Sequence, residues 1–438
     1  MSKLKELIDR LCPDGVEYKP LGELGTFERG NGLQKKDFTE SGIGCIHYGQ
    51  IYTYYNTFAT ETKSFVSDAL AKKLLPIFPG NLVIACTSEN VEDVGKAVAW
   101  LGTETIVTGG HSVVFRHSLN PKYVAYFFQT EKFFTQKKKF AFGAKVIDIK
   151  ASDLAKIIIP VPPIEVQEEI VRILDTFSAH AAELQAELQA RKEQYEYYRN
   201  LLLTFNPSAC GCGTDDEQEI FEDILGKENT PPHLLKHVKV TWKTMGEIGK
   251  FIRGNGLQKK DFTDSGVGCI HYGQIYTHYG TFATETKSYV SHDFAKKLRK
   301  AKYGDLIIAT TSENVEDVGK AVAWLGKDEI AISGDSYVFS HDQNPKFIAY
   351  LLQTHRFLQF KRMNVSGTKV TRISGESLEK YLIPIPPIEL QEKIVAILDH
   401  FETLVNDLTQ GLPAEIAAVK EQYEYYRNKL LTFKKLSA

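Results

Sequence analysis

The decapeptide Gly30-Asn-Gly-Leu-Gln-Lys-Lys-Asp-Phe-Thr39 returns unchanged as Gly254 to Thr263, an offset of 224 residues. Around it, only five of the 38 positions from Gly30 to Ser67 differ from Gly254 to Ser291, and Ser88 to Gly102 is identical to Ser312 to Gly326. The match weakens later in each copy and returns at Pro160-Val-Pro-Pro-Ile164 against Pro384-Ile-Pro-Pro-Ile388, at the same offset. The block Lys-Glu-Gln-Tyr-Glu-Tyr-Tyr-Arg-Asn begins at Lys192 and again at Lys420, an offset of 228, so four residues are inserted between Asp399 and Lys420. Two copies are too few for a solenoid, whose short repeats share one core. Each copy exceeds 200 residues and can bury a core of its own.

Each copy has two textures. The first part carries apolar runs of strand length, Leu82-Val-Ile-Ala-Cys86, Ser112-Val-Val-Phe115 and Ile157-Ile-Ile159, mirrored by Asp305-Leu-Ile-Ile-Ala309 and Tyr337-Val-Phe339. Turn residues at Pro79-Gly-Asn81 and Gly109-Gly110 punctuate them, which predicts a small α+β domain. The second part is helical. After Pro162-Pro163, apolar residues fall at Val166, Ile170, Ile173, Phe177, Ala181, Leu184 and Leu188, then at Tyr195, Tyr198 and Leu202. The later copy shows Leu390, Ile394, Ile397, Phe401, Leu404 and Leu408, breaks at Gly411-Leu-Pro413, and resumes at Ile416, Val419, Tyr423, Tyr426 and Leu430. Steps of three and four draw a narrow stripe of coiled-coil type. Such a helix either packs on its own domain or pairs with the other helix, and the charged opposite face favours pairing. Glycine ends helices and proline starts them, so a kink or break is expected at Gly411–Pro413.

The expected fold class is α+β: two similar domains joined by two long helices in an antiparallel coiled coil, in a circular, pseudo-twofold arrangement. The boundaries read 1–162 for the first domain and 163–206 for its helical region. They read 207–386 for the second domain with an N-terminal linker, and 387–438 for its helical region.

The chain carries 53 Lys and Arg against 55 Asp and Glu, a formal charge of −2. That argues against a generic polyanion binder and leaves local basic patches open. No apolar run reaches 18 residues and the opening MSKLKELIDRLC is charged throughout. Neither a membrane span nor a signal peptide is read, and a cytoplasmic location is expected. Of six cysteines only Cys210-Gly-Cys212 lie close together, with no second pair to complete a zinc site, so no metal is expected.

The catalytic motifs that the sequence approaches are each incomplete. Pro162-Pro163 and Pro386-Pro387 are flanked by aliphatic residues, where an amino-methylating enzyme needs Asn/Asp-Pro-Pro-aromatic. Gly95-Lys96 has Asn90 where a phosphate-binding loop needs its first glycine. Glu61-Thr-Lys63 and Glu285-Thr-Lys287 resemble a nuclease strand without its upstream aspartate. What the sequence does offer is donors, acceptors and aromatics in loop-like contexts. These are Gln34, Lys35 and Lys36; His47, Tyr48, Gln50, Tyr52, Thr53 and Tyr54; Ser88 and Asn90; and Lys145 near Lys137-Lys-Lys139. The second copy supplies Gln258, Lys259 and Lys260; His271, Tyr272, Gln274, Tyr276, Thr277 and His278; Ser312 and Asn314; and Lys369 and Arg372. Lysine and arginine neutralise phosphates, and Gln, Asn, Lys and Arg read base edges. From Glu131 to Asp153 six lysines face three acids, and from His355 to Glu376 five Lys and Arg face one. Packing alone would tolerate drift at solvent-facing Gln, Lys and Asn, so their retention between the copies reads as a binding surface.

The sequence resembles the specificity subunit of type I restriction-modification systems over essentially its whole length. The matching features are Leu-Cys-Pro-Asp-Gly-Val-Glu-Tyr (Leu11 to Tyr18), Thr-Ser-Glu-Asn (Thr87 to Asn90) and the Ile-Pro-x-Pro-Pro-Ile-Glu-x-Gln signature (Ile159 to Gln167; Ile383 to Gln391). The Gln-Tyr-Glu-Tyr-Tyr-Arg-Asn block and Gly411-Leu-Pro-Ala-Glu415 match as well. The resemblance implies a non-catalytic subunit whose two target-recognition domains each read half of a bipartite double-stranded DNA site, with the helices as a ruler. It implies two modification subunits that methylate adenine with S-adenosylmethionine, and restriction subunits that use ATP and Mg, with no cofactor in this chain. A stand-alone tandem nucleic-acid-binding module is the alternative.

Family members commonly carry two dissimilar recognition domains, whereas these are near copies, so a palindromic or nearly palindromic target is expected. The copies differ at His111 against Asp335, Ala144 against Thr368 and Ile147-Asp148 against Thr371-Arg372, and across Lys137–Phe142 against Lys361–Ser366. If any half-site base differs, those positions come first.

Overall fold

A computed structural model describes residues 2–205, 240–367, 369–406 and 411–436. Cys210, Cys212, Thr368, Leu408 and the linker before the second domain lie outside the described residues. The chain divides into two compact units, Met1–Ala186 with Ala414–Ala438, and Glu187–Pro413.

In the first unit the apolar runs become the middle of a five-stranded sheet. Its order is Gly25–Arg29, Ser112–His117, Leu82–Ala85, Ala97–Trp100 and Phe58–Ala59, antiparallel except for the last, parallel pair. Leu82–Ala85 and Ala97–Trp100 are buried throughout, as strands covered on both faces must be. Successive side chains point to opposite faces. Leu82 and Ile84 join the core under helix Pro121–Phe127, while Val83 and Ala85 face Ile51 of helix Tyr48–Thr53. A four-stranded sheet runs Ser64–Val66, Ile43–Ile46, Ile106–Thr108, Leu75–Ile77.

The second unit repeats this plan. Its five strands are Gly249–Arg253, Ser336–His341, Leu306–Ala309, Ala321–Trp324 and Phe282–Ala283, and its four are Ser288–Val290, Val267–Ile270, Ile330–Ile332 and Lys300–Ala301. The copies diverge after helix Glu131–Lys137. Its counterpart, His355–Asn364, is three residues longer and leads into strand Val365–Ser366, where the first copy has a single bridge between Phe142 and Asp148. The residue types account for this. Phe140 packs against the core, whereas its counterpart Asn364 stays on the helix and donates to the Phe360 carbonyl at 2.9 Å.

The helical regions form one continuous helix, Ile164–Leu202, and two shorter ones, Ile388–Asn406 and Leu412–Leu430. The break falls where Gly411 and Pro413 predict it, with Pro413 in the first turn of the last helix. Both ways of burying the stripe are used. In the first unit Val166, Ile170, Val171 and Leu174 enter the domain core together with Leu430 and Leu431, while Phe177 stacks on Tyr426 at 5.4 Å. The residue numbers run in opposite directions, so the pair is antiparallel. In the second unit Tyr198 stacks on Phe401 at 5.4 Å.

The repeated Tyr-Glu-Tyr-Tyr-Arg-Asn block shows an exchange. Asn428 Oδ1 accepts from Glu131 N, and Arg427 and Tyr423 both bond Gln129 Oε1. Asn200 Oδ1 accepts from His355 N, and Arg199 bonds Gln353 Oε1. Each block caps the same helix start, but the first repeat's block belongs to the second unit and the last block to the first.

Candidate nucleic-acid interface

The repeated decapeptide is a loop entered beside the end of strand Gly25–Arg29. Gly32 has a φ of 67°, the left-handed region that favours glycine. A Cβ on Gly30 would lie 2.3 Å from the Gly109 carbonyl oxygen, so this residue admits no side chain. The loop ends in a single turn, Lys35–Asp37, where Asp37 accepts from Gln34 N at 2.8 Å. Gln34, Lys35 and Lys36 are left exposed, as are Gln258, Lys259 and Lys260 on the identical second loop.

His47 is only 6% exposed and starts helix Tyr48–Thr53. Its Nδ1 accepts from Gly49 N at 3.1 Å, while Gln50 bonds His47 N through Oε1 and Ser64 Oγ through Nε2, at 3.0 and 2.7 Å. Burial, then the Lys35 charge, holds the His47 imidazole below its usual range. Nδ1 is therefore an acceptor and Nε2 carries the hydrogen. His271, Gln274 and Ser288 repeat the same bonds, and burial lowers His271 likewise. At the next turn Tyr52 donates to the Thr87 carbonyl and Tyr276 to that of Thr311, both at 2.9 Å.

These bonds correct one premise of the sequence reading. His47 and His271 are buried and Gln50, Tyr52, Gln274 and Tyr276 half-buried, and internal bonding already accounts for their retention. Asn90 is exposed, yet its side chain closes a turn, accepting from Asp93 N at 2.7 Å and donating to the Asp93 carboxylate at 2.9 Å. Asn314 does the same. Lys137, grouped in the sequence with surface lysines, is buried and donates to the Glu92 and Val94 carbonyls at 2.7 and 2.6 Å. Burial pulls its ammonium down to about 8, and Lys361, which donates to the Glu316 carbonyl, behaves alike.

Several candidates do come together. Gln34, Lys35, His47 and Tyr48 line a cleft of about 330 Å³ with Gly110 and His111. The His111 ring lies 4.8 Å from that of Tyr48, and its Nδ1 lies 3.1 Å from Thr87 Oγ1. Thr87 Oγ1 in turn donates to Asp148 Oδ1. Thr87 is thus the joint between the helix, the loop at His111 and the hairpin that carries Lys145. That hairpin turns at Gly143, φ 123°, and pairs Asp148 with Thr87; Lys145 at its tip is exposed.

Ser88 and Ser312 are half-buried on the short strands beside this joint, and Lys369 and Arg372 are exposed on the second hairpin. Thr53 and Tyr54 lie at the far end of the short helix and outside the cleft, and Thr277 and His278 lie at the same end of the second short helix; Tyr54 is 54% exposed, with the Lys63 ammonium 4.5 Å from its ring centre. Arg29 and Arg253, absent from the candidates drawn from the sequence, are exposed residues whose Nε donates to the Gly110 and Gly334 carbonyls at 3.2 and 3.1 Å. Their signal was position, since each directly precedes the repeated decapeptide.

Among the described residues no group of three or more His, Cys, Asp or Glu could hold a metal ion, and no helix is long and apolar enough to cross a membrane.

Residues 13–193 and 238–418 each match the family model of the type I restriction modification DNA specificity domain. The chain is 31% identical over 292 residues to the type I restriction enzyme EcoR124I/EcoR124II specificity subunit of Escherichia coli, covering 64% of this chain and 64% of that protein. That is slightly less than two thirds of the relative's length. It is 28% identical over 336 residues to a putative type I restriction enzyme specificity subunit of Haemophilus influenzae, covering 74% of this chain and 75% of that one. A solved chain, described under complex assembly and conformational transition of the type I R-M system, aligns over 96% of this chain and 98% of its own. Its TM-score of 0.58 at 17% identity is a likeness of fold.

Proposed function

The chain belongs to the type I restriction-modification DNA specificity family, and from that premise we propose that it is the non-catalytic DNA-reading subunit of a type I restriction-modification enzyme. Each domain reads one half of a bipartite duplex site. The observation that carries this reading is the duplicated loop itself, which holds Gln34, Lys35 and Lys36, and Gln258, Lys259 and Lys260, exposed beside a joint of hydrogen-bonding groups. Lysines on such a loop neutralise phosphates, and glutamine, histidine and arginine beside them meet base edges. Two near-identical readers suit a nearly palindromic target.

The helical regions set the number of base pairs between the half-sites. Two modification subunits bind the chain and methylate adenine, with S-adenosylmethionine held on their side. Restriction subunits bring ATP and Mg. The work is cytoplasmic, where the DNA is.

Affinity purification of the full chain from its native host tests this directly. A methyltransferase subunit should co-purify, and the complex should bind a specific duplex. A chain that purifies alone and still binds specific DNA supports a stand-alone module instead, and methyl transfer or cleavage by the chain alone contradicts the proposal. Removing four residues between Asp399 and Lys420, the stretch that contains the break before Leu412, shortens the helical region by up to roughly 6 Å, about two base pairs of rise. The preferred spacer should change or binding should be lost, and an unchanged spacer contradicts the ruler role.

A further inference from the structure

Resting on the DNA-reading function above, we propose that the joint at Thr87 in the first domain and Thr311 in the second is where the two half-sites differ. There the first domain accepts from a cytosine amine and the second donates to guanine.

The joint has the same backbone frame in both domains. Tyr52 and Tyr276 hold the two threonine carbonyls at 2.9 Å, and the hairpins pair in one register, Asp148 with Thr87 and Arg372 with Thr311. The two neighbours of the unchanged threonine have exchanged character. The loop residue is His111 in the first domain and Asp335 in the second; the hairpin residue is Asp148 in the first and Arg372 in the second. Each joint thus keeps one carboxylate, moved from one side of the threonine to the other.

The hydrogen bonds decide what each joint presents. In the first domain the Thr87 hydroxyl gives its one hydrogen to Asp148 Oδ1. The 3.1 Å contact with His111 Nδ1 must then be donated by the ring. In the neutral ring Nε2 is left as an acceptor, and Asp148 keeps Oδ2 free to accept. In the second domain the Thr311 hydroxyl donates to Asp335 Oδ1 at 3.3 Å, which draws the carboxylate to the loop side. Arg372 is exposed and has no acceptor among the described residues. Its forked N–H groups match guanine O6 and N7, whereas a carboxylate accepts from cytosine N4. An aspartate on a surface that meets phosphates weakens binding unless it finds such a donor. His111 lines the cleft with Gln34 and Lys35, so the joint belongs to the same surface as the basic loop.

The experiment uses the full chain expressed with its modification subunit, with the methylated motif read by sequencing. In the wild type the half-sites should match as reverse complements except at one position, with guanine under the second domain. The variant H111D/I147T/D148R installs the second domain's joint in the first, and its motif should become strictly palindromic, with a preference shift of roughly tenfold or more at that position and no change elsewhere. The reciprocal D335H/T371I/R372D should give the opposite palindrome, and decides the matter if the first variant loses its folding transition. Wild-type half-sites identical at every position, or a swapped variant that keeps the wild-type motif, overturns this inference alone. A wild type with no gene-dependent motif defeats the DNA-reading function and this inference with it.

Discussion

Within each domain, the short helix and the hairpin that meet at the threonine joint are held very differently. Helix Tyr48–Thr53 is tied at its start by His47, Gln50 and Ser64 and further along by Tyr52, and every one of these bonds recurs in the second domain with distances equal to within 0.1 Å. The hairpin after the basic helix is attached through two backbone pairs, Ile147 with Ser88 and Asp148 with Thr87, matched by Thr371 with Ser312 and Arg372 with Thr311, with one side-chain bond, Thr87 to Asp148, in the first copy. Backbone pairing leaves side-chain identity free, and it is here that the copies differ. Between these two elements, retention marks the platform that positions the surface and variation falls on the hairpin side chains it presents, while the basic loop Gln34–Lys36 is both retained and exposed.

The largest expected effect lies on the platform. Gln50→Ala leaves His47 N and Ser64 Oγ without their partner inside the domain, a cost of about 1–3 kcal/mol, and Gln274→Ala should cost the same. Denaturant unfolding checks both, and the base preference of the surviving folded protein should not move. A stable Gln50→Ala protein with relaxed base preference would break the comparison by making Gln50 a reader. Next comes the rim. Arg372→Ala should relax one position of one half-site by about 1–3 kcal/mol of discrimination, with thermal stability near wild type, as competition binding with single-base variants will show. Smaller again, and uniform over sequences, is the effect of Lys35→Ala with Lys36→Ala. The slope of log affinity against log salt should fall by about 0.9 for each phosphate that is no longer neutralised.

The smallest effect is in pH. Burial pushes the buried rings of His117 and His341 down to about 4, below the ordinary value of about 6.5. The folded state then binds fewer protons than the unfolded one, so this stability is complete above pH 6.5. It is lost progressively as pH falls, and fully below about 4. Melting temperatures should decline over that window, and His117→Asn with His341→Asn should flatten the decline. Because the two rings occupy equivalent places, unequal effects of the single variants would count against equivalent domains.

Much of this was legible in the residues. The duplication, the strands at Leu82–Ala85 and Ser112–His117, the long helix and the break before Leu412 follow from periodicity and from glycine and proline. Periodicity reports that a stripe is buried but not by what, so the exchange of the Asn200 and Asn428 caps between repeats was invisible. The candidate site was read only in part. Gln34, Lys35 and Lys36 stand on the surface as expected. His47 and Gln50 looked the same in sequence, because a polar side chain bonded internally has the same letter as one that meets solvent. The joint at Thr87 joins residues from segments 24 and 61 positions away, a juxtaposition that only the folded sheet creates.

The central claim is that two near-identical domains of one chain read DNA. Adenine-methylation sequencing of the host genome, with the gene intact and deleted, tests it most directly. The account predicts a bipartite motif that depends on the gene, with half-sites that are near reverse complements of each other. Two unrelated half-sites, or a methylation pattern that deletion leaves unchanged, would contradict it.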